Sequence, residues 1–247
     1  MLALSSLGFA QEIRVAAAAD LQFALQDIAA RFEKESGKKV ALTFGSSGNF
    51  FAQIQNGAPF DAFFSANIDF PKKLEAAGLT EPGTYYEYAT GKVVLWVPSG
   101  SQLDIKSGLS SLTNPAIHKI AIANPQHAPY GQAAVAALKK ENIYDQISGK
   151  LVLGENISQT ASFVLSGSAD AGIIALSLAL GPNMKDKGRF VEVPSSDYPP
   201  IQQACVVLKS SREKPTATAF LEFLRGAKAK DLLRSYGFAV PDAQPAQ

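Results

Sequence analysis

The sequence is poor in the residues that staple small proteins or hold metals. It has one cysteine, Cys205, which cannot form a disulfide within the chain, and two histidines, His118 and His127, too few for most histidine-based metal sites. Charge is scarce as well. Asp, Glu, Lys and Arg make up 18% of the residues, and 23 basic against 22 acidic side chains leave a net charge of +1. A chain with no excess of either sign has no general electrostatic pull on nucleic acid or an anionic membrane, so any anion it binds must be held locally. No stretch approaches the ~20 consecutive apolar residues of a membrane span. What is abundant is core material: 47% of the 247 residues are hydrophobic, which describes a folded chain of one or two domains rather than a disordered, collagenous or coiled-coil one.

The first ten residues, ending Leu-Gly-Phe-Ala before Gln11, place Gly8 and Ala10 at the small-residue positions of a secretory cleavage site. Residues 1–10 are therefore read as the remnant of a signal peptide, although the basic segment that opens such peptides is missing. No cysteine follows to accept a lipid. This predicts an exported, soluble, periplasmic protein.

Strand and helix patterns alternate along the rest of the chain. Strands are expected at 13–17, 40–44, 62–65, 93–97, 120–123, 151–153, 172–175, 190–193 and 204–208, which are short and rich in Val, Ile and Phe. Amphipathic stretches fall at 21–35, 50–56, 71–77, 131–141, 161–165, 216–225 and 227–236. Such alternation predicts an α/β fold with mainly parallel sheets flanked by helices. A faint internal echo suggests two lobes: a polar turn, a short helix, a Gly, an Asp and a buried strand recur at 45–66, with Asp61, and at 155–175, with Asp170.

Four strand-to-helix turns carry the chemistry: Ala17-Ala-Ala-Asp20, Gly45-Ser-Ser-Gly-Asn49, Asn124-Pro-Gln-His-Ala-Pro-Tyr-Gly131 and Asn156-Ile-Ser-Gln-Thr160. None contains a lysine or arginine. The start of a helix offers free backbone N–H groups and about half a positive charge, so it binds anions unaided. Four such starts would supply roughly two positive charges, with Ser46 or Ser47 adding a hydroxyl. Taken singly, each turn is explained as ordinary capping, with Asp20, Ser47 and Asn156 as N-cap residues. Gly45-Ser-Ser-Gly48 lacks the G-x-S-x-G spacing of a nucleophile elbow, and neither a P-loop nor a dinucleotide fingerprint occurs. A hydrolase or transferase working through Ser47 and His127 stands as the enzymatic alternative. His118 is expected on a surface loop and Cys205 as an inert core thiol.

At these turns the sequence resembles the periplasmic molybdate-binding proteins of ABC transporters. The blocks that carry the resemblance are Val15-Ala-Ala-Ala-Ala-Asp-Leu21, Phe44-Gly-Ser-Ser-Gly-Asn49, 53–66, 124–131 and Tyr236-Gly-Phe238, spread over residues 13–240. The resemblance implies the two-lobed type II periplasmic binding protein fold, with the ligand in the cleft between the lobes. It divides the chain into lobe 1, residues 11–88 plus 200–247, and lobe 2, residues 89–199, with crossovers near 88–91 and 193–201. It implies an oxyanion held by Ala19, Asp20 and Ser47 from one lobe and by the backbone N–H groups of Tyr130 and Ile157 from the other, with Ser46 a weaker candidate. The ligand would be molybdate or tungstate, with sulfate or a phosphate-type anion as alternatives. No cofactor and no catalysis are implied, molybdenum entering only as the bound oxyanion. The partner would be an ABC permease in the inner membrane, with a sensor role as another use of the same fold, and a monomer is the default for this architecture.

Two positions depart from the family pattern. Ala175 stands where some members carry a tyrosine hydroxyl, and Asp20 where relatives often carry a serine or asparagine. A carboxylate facing a dianion at ~4 Å costs about 4 kcal/mol per unit charge at an effective dielectric of ~20. The expectation is that Asp20 turns away to cap its helix while its N–H binds the anion. Were it to point inwards, it would either be protonated itself or accept from an anion that still carries a proton.

Overall fold

The computed structural model describes residues 12–241, so the expected signal-peptide remnant at 1–10 lies outside the described residues. The first sheet is built from β1 (Glu12–Ala18), β2 (Lys39–Gly45), β3 (Ala62–Ser65) and β4 (Tyr86–Gly91). The second holds β5 (Val93–Pro98), β6 (Ile120–Ala123), β7 (Leu151–Gly154), β8 (Ala171–Ala175) and β9 (Gly188–Glu192), after which β10 (Ile201–Val207) returns to the first. The helices in chain order are α1 (Gln22–Ser36), α2 (Ser47–Gln55), α3 (Asp69–Ala76), α4 (Pro129–Lys140), α5 (Tyr144–Ile147), α6 (Ile157–Leu165), α7 (Leu176–Ala179), α8 (Lys214–Arg225) and α9 (Ala227–Ser235). A 3-10 turn at Ala19–Leu21 runs directly into α1.

The sheet orders are β2-β1-β3-β10-β4 and β7-β6-β8-β5-β9. The same plan is used twice. In each, a central strand pairs in parallel with its two βαβ neighbours. The fourth strand then runs antiparallel to both of its own neighbours. The sheets are thus mixed rather than mainly parallel, because β5 and β10 each arrive from the other sheet and enter against the direction of the parallel strands.

The internal echo survives in atomic detail. Asp61, one residue before β3, accepts at Oδ2 from the Arg14 N–H at 2.7 Å and returns its own N–H to the Arg14 carbonyl. Asp170, one residue before β8, accepts from the N–H groups of His118 and Lys119 and returns its N–H to the Lys119 carbonyl. Each Asp satisfies the backbone where a parallel pair begins, ahead of the first ladder bonds.

Alternate residues of β1 feed opposite faces of the first sheet. Ile13, Val15 and Ala17 join Leu25, Ile28 and Phe220 beneath α1, α8 and α9, whereas Ala16 joins Phe50, Ile54 and Phe63 beneath α2. The second sheet is covered on both faces, and its core reaches across to include Ala18, Ala19 and Ala66 of the first. Residues 88–91, expected as a crossover, lie inside β4, so the chain passes between the sheets at Lys92. The return passes through 193–200, between β9 and β10. Among the described residues, no helix is long and apolar enough to cross a membrane.

Candidate functional site

The four turns singled out in the sequence all sit at the carboxyl ends of parallel strands. There β1 leads into the turn at Ala19, β2 into α2, β6 into the loop before α4, and β7 into α6. Open α/β sheets place their ligand crevices at such strand ends. The first-turn N–H groups of these helices have no intrahelical acceptor, and two come from each sheet.

One small cavity collects them. It is lined by Ala18, Ala19, Asp20, Gly45, Ser46, Ser47, Ala66, Ala128, Pro129, Tyr130 and Ile157. All six residues named from the sequence are present, joined by Ala18, Gly45, Ala66, Ala128 and Pro129, which the sequence did not mark as contacts. No lysine, arginine or histidine lines it. Its volume is only ≈ 10 Å³, measured as the space open to the centre of a water molecule, enough for something of about that size and too little for a sugar or an amino acid.

Each side chain has a distinct role. Ser47 is buried at the first position of α2, and its Oγ accepts from the Ala66 N–H at 2.9 Å, which leaves the hydroxyl proton free to be donated. Tyr130 and Ile157 are buried at the second position of α4 and the first of α6. Asn156 caps α6, its side chain accepting from the Gln159 N–H at 3.0 Å. Ala19 gives its carbonyl to the cleft, where Ser158 Oγ lies 2.9 Å from both that oxygen and Gln22 Oε1.

Ser46 is engaged elsewhere. Its Oγ donates to the His127 carbonyl at 2.7 Å and lies 2.8 Å from His127 Nδ1. With the hydroxyl proton committed to the carbonyl, the ring nitrogen is the donor, so Nδ1 carries hydrogen. The Ser47–His127 pair that the enzymatic alternative needs is therefore not formed. Ser47 is bonded to Ala66 and has no histidine base, while the serine that does meet His127 donates to a backbone oxygen.

Asp20 departs from the expectation. It caps nothing: Ala18 holds the N-cap position, and Asp20 lies inside the 3-10 turn, 1% exposed. Its Oδ2 accepts from the Tyr130 hydroxyl at 2.9 Å and from Gln203 Nε2 at 2.6 Å, while Oδ1 has no hydrogen-bond partner. Gln203 Oε1 in turn accepts from the Tyr88 hydroxyl at 2.8 Å. Burial pushes the Asp20 carboxyl up to about 6, against the pull of Gln203, Tyr130 and the backbone N–H groups of Asp20 and Leu21. The Tyr130 and Tyr88 hydroxyls are held well above their ordinary range by burial and by the nearby Asp20 charge.

Several of these bonds join the two sheets and hold the cleft shut. The Gly48 N–H donates to the His127 carbonyl at 3.0 Å, Asn49 Nδ2 to Glu155 Oε1 at 2.5 Å, and Ser177 Oγ to the Asp20 carbonyl at 2.7 Å. Gly48 is required here, since a Cβ would stand 2.7 Å from the His127 oxygen. Gly91 is required for the same reason, as a Cβ would overlap the Tyr130 hydroxyl. Gln203 and Tyr88 were missed in the sequence. β10 opens Ile-Gln-Gln before its apolar run, and of the two adjacent glutamines it is Gln203 that is fully buried and so in need of partners. His118 is exposed, and Cys205 is fully buried with its thiol pushed up by burial.

Comparison with known proteins gives a consistent result. The molybdate-binding protein ModA of Azotobacter vinelandii is 39% identical over 94% of this chain and 91% of its own length. ModA of Rhodobacter capsulatus is 38% identical over 93% and 88%. The solved structure of the Azotobacter vinelandii periplasmic molybdate-binding protein superposes with a TM-score of 0.88 at 35% identity, covering 93% of this chain and 100% of that one. These relatives are binding proteins, not enzymes. Residues 13–239 match the model of the bacterial extracellular solute-binding proteins, and the chain belongs to that family.

Proposed function

We propose that the protein is a periplasmic receptor that captures molybdate or tungstate and delivers it to an ABC permease in the inner membrane. One observation carries this reading: four helix starts from two sheets converge on one small cavity whose lining includes no cationic side chain. The neutral donors and roughly two units of helix-terminal charge suit a dianion, and the ModA relatives supply the choice of metal oxyanion. In this reading the N–H groups of Ala19, Asp20, Tyr130 and Ile157 and the hydroxyl of Ser47 hold the anion, while Ser46 serves closure. Lobe 1, expected at 11–88 with 200–247, extends through β4 to Gly91, so lobe 2 begins at Lys92 and runs to 199, and the two hinge at the crossings between them. The receptor acts as a monomer. Because the anion touches both lobes, it binds the closed form preferentially.

A phosphate-type anion is the second reading, favoured by the Asp20 carboxyl staying in the closed interface instead of capping a helix. Calorimetric titration of ligand-free protein with molybdate, with tungstate, sulfate and phosphate as competitors, decides between them. Submicromolar molybdate binding displaced only by tungstate supports the first reading. Phosphate binding without molybdate binding replaces it with the second.

A further inference from the structure

We propose that Asp20 makes anion capture proton-coupled: the site takes up one proton with each dianion, and that proton resides on the Asp20 carboxyl. The inference rests on the receptor reading above and concerns how that same site handles charge.

The geometry leaves the carboxylate no way to tolerate a second negative group while ionised. Asp20 is 1% exposed and lines the cavity whose other lining groups offer donors to an anion. It cannot swing out to solvent, because Oδ2 is held from two elements at once, by Tyr130 of α4 and by Gln203 of β10. Its backbone is fixed as well, with the Asp20 carbonyl accepting from Ser177 and the Ala19 carbonyl from Ser158.

Among the described residues, no counter-ion is at hand. The groups that meet the carboxyl are the Tyr130 phenol from α4 and the Gln203 amide from β10, with the Tyr88 phenol of β4 behind them. The adjoining α6 and α7 carry no titratable side chain, and the charged residues of α1 begin at Asp27, beyond its first turn. Lys39 opens β2 at the end remote from Gly45, which is the residue paired with Ala18. His127, from the loop before α4, is turned to Ser46, with Glu155 3.7 Å from Nε2. Burial already brings the carboxyl to about 6 before any anion is present. A dianion alongside raises it further, since like charges at close range disfavour ionisation.

Oδ1 supplies the place for the proton. It is buried and makes no hydrogen bond of good geometry, with only the Asp20 and Leu21 backbone N–H groups drawing on the carboxyl besides Tyr130 and Gln203, an arrangement that is costly for a carboxylate oxygen and natural for a carboxyl O–H that acquires an acceptor. Protonation converts the one repulsive group of the site into a donor.

The test is calorimetric titration of the full chain with molybdate at pH 7.5 in HEPES, MOPS and Tris, whose ionisation enthalpies differ. The slope of observed enthalpy against buffer enthalpy counts the protons taken up. A slope near one is expected, together with a Kd that weakens about tenfold per pH unit above 6. Asp20→Asn should abolish both the slope and the pH dependence. Molybdate binding with no proton uptake, or uptake that persists in Asp20→Asn, overturns the proposal and leaves the receptor reading intact. Absence of molybdate binding at every pH overturns both.

Discussion

Ser47 and Asp20 carry opposite kinds of prediction. The Ser47 hydroxyl accepts from Ala66 and keeps its proton for the cavity. Ser47→Ala therefore removes a donor to a charged group, worth about 1.5–3 kcal/mol, and molybdate affinity measured by calorimetry should fall roughly ten- to hundredfold. Asp20 affects the stability of the ligand-free protein. Its native carboxyl titrates at about 6, whereas in an unfolded chain it would titrate near ~4. Between those values the native state holds the proton more tightly, so stability is greatest below the window and is lost as the pH rises through 6. That difference corresponds to about 3 kcal/mol. Asp20→Asn should then be more stable than the parent at pH 8 by up to that amount, with the advantage vanishing below pH 4, as read from urea unfolding. The positions lining the cavity were legible because helix starts betray themselves locally. The fate of Asp20 was not, since Tyr130 and Gln203 lie 110 and 183 residues away in sequence.

Helix starts and the loops before them do the work of closure. The loop between β2 and α2 meets the loop before α4 at Gly48, whose N–H bonds the His127 carbonyl. Gly48→Ala places a methyl where only hydrogen fits, so the two loops must separate. Molybdate affinity should drop tenfold or more, mainly through a faster off-rate measured by stopped-flow displacement with tungstate. Most elements were legible from short apolar runs set between polar turns. The exception among the strands, β4, reads Tyr-Glu-Tyr-Ala-Thr-Gly, which mixes polar and apolar residues and abuts the far stronger pattern of β5. The short helices α5 and α7, four residues each, are too brief to show a 3.6-residue period. Antiparallel entry of β5 and β10 was hidden for another reason: strand direction belongs to the route between sheets, not to the strand's own residues.

Ligand binding that favours a closed molecule also stabilises it as a whole. Cys205 offers a reporter, being fully buried in β10 between β3 and β4. Its labelling by a thiol reagent should require global opening, and molybdate at a thousand times its Kd should slow that labelling by up to about a thousandfold. Labelling unaffected by saturating ligand would mean that β10 opens without unfolding of the site.

The order of strands in the first sheet also sets a timetable for the growing chain. Every strand of the second sheet has been made by Glu192, so that half can assemble as soon as it emerges. The first sheet cannot, because β4 reaches the rest of it only through β10, which begins at Ile201. Its parallel half therefore keeps an unpaired edge at β3 until more than one hundred intervening residues are in place and β10 is available. A chain that ends before residue 201 therefore holds a first sheet split in two, with β4 apart from β1, β2 and β3.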